Sequence, residues 1–327
     1  MEIKTKDYSY AIADCDVIDK VSLATFREKR RTWNNWLKTD EHHAIQIVLS
    51  SMIWSDVSFR TISHMAMNNP KSALHNQLMT EALIHGHVST QVLAIRRLMD
   101  KGTGVISLPR LLDDVKKNAK IITRENFVCF DGLPYDYEVA KQRVLSRMVG
   151  GWQPTSGPDA WWNSEVAHQE FDKLTGVEPE NRERDDRIDK RIFDKLEDWL
   201  KESDSEELVN WSHAFLAHAA APNSPNRSAE VPAPTLDRMT KATKHFVRVS
   251  EALGRITLSS GHGELVPVAQ FDRFAHLENP MMDSNTAKDI ADHWDMLAAE
   301  REKCVEGIEA ELFAKIRNSP PGEITLF

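Results

Sequence analysis

A chain of 327 residues with 41% hydrophobic and 28% charged side chains can bury one large core or two ordinary ones. No run approaches the roughly 20 apolar residues of a membrane span, and a net charge of -9 with a pI of about 5.8 excludes a globally basic nucleic-acid-binding surface. Cys15, Cys129 and Cys304 are odd in number and far apart, which argues against a disulfide framework and a cysteine-based zinc site and fits a reducing cytoplasm. Residues 1–7 carry no secretory signal, so a cytoplasmic location is expected.

Helical periodicity dominates and strand alternation is absent, so the expected class is all-α, built from antiparallel helical bundles with additional helices. Residues 19–39 read as a charged helix carrying Trp33 and Trp36. Residues 41–68 follow as a serine-studded helix in which Ala44, Ile47, Val48, Ser51, Ser55 and Ser58 share a face suited to close packing. The next helix, 71–100, repeats Leu74, Leu78, Ala82, His85, Val88, Val92, Ile95 and Met99 at three- and four-residue spacing. It should pair Arg96 with Asp100 and stop at Lys101 and Gly102, with Arg97 facing away from the stripe. Ser107 and Pro109 open a shorter helix as cap and first-turn proline, and 135–148 is helical again.

Gly150 to Pro158 is the first composition shift. It marks a break between an N-terminal helical region, 1–150, and a C-terminal one, 151–327, which can equally form one continuous domain. Beyond it come a tryptophan-rich helix, 159–175, and a charged one, 180–202, whose interleaved pairs contribute about 0.2–0.5 kcal/mol each. A short helix ends at Pro222, residues 223–234 form a proline-rich loop, and Thr235 caps the helix after it. The last helix, 284–317, carries Ile290, Trp294, Leu297, Cys304, Val305, Ile308, Leu312 and Ile316 as a stripe, which makes a homodimer or a partner protein a candidate.

Leu208–Pro222 holds the best-defined histidine. Leu208, Trp211, Phe215, His218 and Pro222 fall on one heptad-spaced face, with His213 earlier on the same helix. An imidazole so placed suits a general acid/base or a phosphate contact, because histidine titrates nearest neutral pH. The bland alternative is a core histidine satisfied by a backbone carbonyl.

This segment resembles the signature helix of HEPN-type proteins of the abortive-infection kind, in which an arginine is followed by a polar residue and, four to six positions on, a histidine. Ala217 and His218 match the end of that motif, His213 takes the polar position, and Ser212 stands where the arginine belongs. The resemblance implies a prokaryotic defence or stress protein that cuts RNA, or acts on a nucleotide, by 2′-hydroxyl attack without metal or cofactor, through residues paired across a dimer. On that reading His218, His213 and Asn210 form the catalytic set, and Arg227, Arg97 or Arg96 supply the missing cation. The segment from His87 to Asp100, followed by Ser107 to Leu112, resembles the N-terminal half of such proteins. The competing reading is a non-catalytic helical module that holds a partner or regulator, favoured by Ser212 and the acidic balance.

Other spacings compete. Arg238 with His245 and Arg255 with His262 repeat the arginine–histidine interval, which arises readily by chance among 13 histidines. Glu165 and His168 have the Glu-x-x-His spacing of di-iron bundles but lack a second such pair. No Walker A loop, dinucleotide fingerprint, zincin motif or nucleophile elbow is present.

Overall fold

The computed structural model describes residues 8–147, 153–217, 232–279, 281 and 284–306. Among them the chain is all-α, and its one β feature is an isolated bridge between Thr123 and Arg187. Two compact units are separated after Val268.

Most helices of the first unit begin where a short polar side chain can accept from the exposed amides of a first turn. α1 (Lys20–Asn34) is capped by Asp19, which accepts from the amides of Val21 and Ser22, and it runs into a π-helical turn, Asn35–Thr39. α2 (Ile45–Asn68) and α3 (Gln77–Met99) are joined by a short link in which Asn76 caps α3. Their contacts run in opposite directions: Arg97 meets His42, Gln91 donates to the Met52 carbonyl, and His87 stacks on Phe59. They therefore form an antiparallel hairpin. Ser107 caps α4 (Leu108–Lys117), and Pro109 lies in its first turn as expected.

Only the open end of the hairpin reaches the core. On α2 the buried residues are Ile45, Val48, Leu49 and Met52; on α3 they are His87, Gln91, Val92, Ile95 and Leu98. This corrects two expectations. The face of α2 with Ser51, Ser55 and Ser58 is not its packed face, and in α3 Leu78, Ala82 and His85 are exposed while His87 is the buried histidine. The reason is that the hairpin tip has only its partner helix to pack on, so apolar periodicity there finds no second surface.

α5 (Arg124–Cys129), α6 (Tyr137–Arg147) and α7 (Trp161–Thr175) pack together, and α7 ends at Gly176 with φ +70°, a left-handed conformation that glycine adopts without strain. α8 (Lys190–Glu202) begins later than residue 180, because the amides of Arg124 and Glu125 are bonded to the carbonyls of Asp186 and Arg184 and hold that stretch extended. α9 is Ser205–Ser212, continued by a π-helical turn, His213–Ala217.

α10 (Leu236–Leu258), capped by Thr235, is the axis of the unit: α1, α2, α3, α4, α8 and α9 all pack on it. Its buried residues, including Met239, Phe246, Val249, Leu253 and Ile256, join Phe26, Trp33, Ile95, Leu111 and Leu196 in one core. Residues from both sides of 150–158 therefore share a single core, and the break expected there does not separate two. The second unit holds α11 (Ser284–Glu302) and a 3-10 turn, Lys303–Val305. Ile290 and Trp294 of its expected stripe are exposed, and the stripe's continuation to residue 317 lies outside the described residues.

Candidate functional site

An open cleft of about 550 Å³ lies between the end of α3, the start of α4, the end of α8 and the helix α9. Two capped turns shape it. Asp100 is extended (ψ 129°), so α3 stops there; its carboxylate accepts from the Gly102 amide at 2.7 Å, and its carbonyl accepts from the Ser107 hydroxyl at 2.6 Å. That turn corrects the expected Arg96–Asp100 pair, because a carboxylate engaged beyond the helix end is not held in the i, i+4 geometry. At the opposite wall Ser203 donates to the Leu200 carbonyl at 2.6 Å, Asp204 takes a left-handed conformation (φ 52°), and α9 is turned back against α3.

Three of the residues singled out from the sequence line this cleft: Arg96 on α3, Asn210 on α9 and His213 at the first position of the π turn. Arg96 and His213 are half-buried, and Asn210 is exposed. Met99, Leu112, Leu200 and Val209 supply an apolar floor. Lys101 and Lys201, which no motif flagged, add cationic rim positions. Both come from helix ends, and a lone lysine at a helix end carries no sequence signal beyond its favourable place there.

The charges are unequal in their engagement. Asp100 is held by the Gly102 amide, Asp113 by Lys117 at 2.6 Å and Glu197 by Lys116, leaving Glu206 as the cleft carboxylate without such a bond among the described residues. Bonding to Glu197 raises the Lys116 ammonium above its ordinary value. Among the cations Lys201 lies 3.7 Å from Asp198, while Arg96 and Lys101 have no ion-pair partner among the described residues. Among the described residues Arg96 and Lys101 are thus the cleft cations without a carboxylate partner, and Asp100 and Glu206 the carboxylates without a cationic one.

Other candidates fall elsewhere. His218 and Arg227 lie outside the described residues. Arg97, next to Arg96 on the helix, faces away and donates to the His42 carbonyl at 3.2 Å and bonds His43 Nδ1 at 2.9 Å, so the two arginines do not share a site. The heptad face is also revised. The π turn interrupts the α-helical register, leaving Ser212 fully buried with Phe215 47% exposed and its ring 5.3 Å from Trp211. Position 212, which the resemblance reserves for an arginine, points into the core.

The rival pairs are structural. Arg238 is ion-paired with Glu207, and His245 is buried, its imidazole pushed down by desolvation. Arg255 binds Glu251 at 2.7 Å, and Glu251 also accepts from the His262 amide at 2.8 Å. His168 is buried and donates from Nε2 to the Tyr135 carbonyl at 2.9 Å; burial lowers it to about 4. Among the described residues no three His, Cys, Asp or Glu side chains are grouped to hold a metal ion, and no described helix is long and apolar enough to cross a membrane.

Fold and cleft together define an all-α helical protein with an amphipathic cleft on the side of its core. The sequence matches no protein-family model, and no curated protein or solved structure is significantly similar to it.

Proposed function

We propose that the cleft binds a phosphorylated nucleoside or an RNA strand, and that the protein acts on it as a HEPN-like enzyme. The observation that supports this is the meeting of Asn210 and His213 of α9 and its π turn with Arg96 of α3, beside Lys101, which has no ion-pair partner among the described residues. Arg96 and Lys101 would take phosphate oxygens, and charge-assisted bonds of that kind contribute about 1.5–3 kcal/mol each. The apolar floor at Met99, Leu112 and Val209 suits a base or ribose face. His213, with His218 beyond it on the same segment, would serve as the acid/base. The 2′-hydroxyl of RNA is its own nucleophile: its proton passes to an imidazole, the new P–O bond closes on the 2′ oxygen, and the 5′ oxygen leaves with a proton.

Binding without cutting is the second reading, and the burial of Ser212 where the resemblance places an arginine favours it. One experiment separates the two. Purified protein is titrated with a nucleoside monophosphate and with a short single-stranded RNA, following Trp211 fluorescence and RNA integrity, for the native chain and for Arg96→Ala, His213→Ala and His218→Ala. The enzyme reading requires cleavage lost in a histidine variant that keeps its fold. Saturable binding weakened by Arg96→Ala, without cleavage, supports the binding module. Absence of binding to either ligand overturns both.

A further inference from the structure

We propose that the base taken by the cleft is guanine, read by Glu206 and Asn210. The inference rests on the nucleotide reading of the same cleft and adds a specificity to it. Glu206, Val209, Asn210 and His213 line the cleft at the spacing of one helical face. Glu206 and Asn210 stand one turn apart on it, where Cβ atoms are about 5–6 Å from each other, so the two side-chain ends can meet neighbouring positions of one base edge. Both are exposed, and among the described residues neither side chain has a hydrogen bond or an ion pair. The next carboxylate along the helix differs: Glu207 is ion-paired with Arg238. One acid of the first turn of α9 is thus used by the fold and the other faces the cleft.

The surroundings decide what Glu206 can take. Arg96, Lys101 and Lys201 line the same cleft and repel a cationic ligand, so the donors offered to the carboxylate are neutral N–H groups. A carboxylate accepts through two oxygens and is best satisfied by two adjacent donors. Guanine alone among the four RNA bases has them, at N1 and N2, and beside them O6 is an acceptor for the Asn210 amide. Adenine and cytosine place a lone-pair ring nitrogen next to the amino group, and uracil flanks its N3–H with two carbonyl oxygens. Each of these turns an acceptor toward the carboxylate and leaves a bond unmade. The end of α3 and the turn after it supply cations for phosphate while α9 supplies carboxylate and amide, so the two parts of the ligand are taken by different elements.

The specificity is tested by calorimetric titration of the full chain with GMP, IMP, AMP and UMP. GMP should bind at least tenfold tighter than AMP or UMP, with IMP between, because hypoxanthine keeps N1–H and O6 but lacks the N2 amino group. Glu206→Gln, at an exposed position, should bring GMP to the level of AMP, and Asn210→Leu should weaken GMP and IMP while leaving AMP unchanged. Arg96→Ala should weaken all four alike, since they share the phosphate. Equal binding of GMP and AMP, or a folded Glu206→Gln variant that keeps the preference for GMP, overturns the guanine assignment and leaves nucleotide binding standing. Binding of none of the four overturns both.

Discussion

Two charged regions of the first unit use arginine in opposite ways. Around Arg124 every cation is spoken for: its guanidinium is fully buried, meets Asp172 and Asp186 at 2.7 Å each, lies over the Phe171 ring at 5.2 Å, and shares Asp172 with Arg182. Burial alone would push the Asp172 carboxyl up, but the bonds from Arg182 and Arg124 outweigh it and hold it below the ordinary carboxylate value. In the cleft Arg96 stands half-buried with no such partner. The first arrangement ties α5 to α7 and the stretch before α8; the second leaves a charge that no described carboxylate pairs. Paired and buried arginine holds the fold, and the unpaired arginine in the cleft is the one the proposed function uses.

The comparison breaks most visibly at Arg124. Arg124→Met strands Asp186 and leaves Asp172 to Arg182 alone, and should cost about 3–5 kcal/mol in urea unfolding, whereas Arg96→Ala should stay within about 0.5 kcal/mol of the native chain. A similar loss from both would erase the distinction. Ser212→Arg, which writes the resemblance's arginine back into the chain, should also cost several kcal/mol, because it forces a charge into a fully buried position. A stable and newly active Ser212→Arg variant would instead show that the π turn can rotate that position into the cleft.

Acid sharpens the same contrast. Above pH about 6.5 His168 is neutral folded and unfolded, so it adds no pH dependence there. As pH falls below that value the unfolded chain takes up a proton that the buried ring, lowered to about 4, refuses. Stability should therefore fall by roughly 3 kcal/mol between pH 6.5 and 4 from this group. His87, His245 and His262, all lowered first by burial, add losses of the same sign. Unfolding midpoints across that range, compared with His168→Gln, measure the contribution; an unchanged slope in the variant would assign the acid sensitivity elsewhere.

The smallest effect concerns Ser212 again. Its hydroxyl is buried with no hydrogen-bond partner, so Ser212→Ala should stabilise the protein by about 1 kcal/mol. A destabilised variant would mean that the hydroxyl has an acceptor or an internal water.

Much of the local structure was legible before any coordinates. Ser107 and Thr235 do cap their helices, Pro109 sits in a first turn, and Gly102 follows the end of α3, since a cap is a bond between residues two or three apart. The misreadings share one cause. Leu78 and His85 follow a helical period as faithfully as Val92 and Ile95, yet only the latter meet the core. Period says which residues share a face, not whether a neighbour arrives to cover it.

The cleft shows the same division. Asn210 and His213 stood out on their helix and Arg96 on its own, but nothing local joins them, and Lys101 and Lys201 gave no signal. The amino-acid order alone determined the all-helical class and most helix starts, because these depend on near neighbours and on composition. Which faces are buried, which arginine is neutralised and which groups converge were decided by tertiary structure. Those outcomes depend on segments far apart in the chain meeting around α10, and a long-range meeting leaves no periodic trace in either segment.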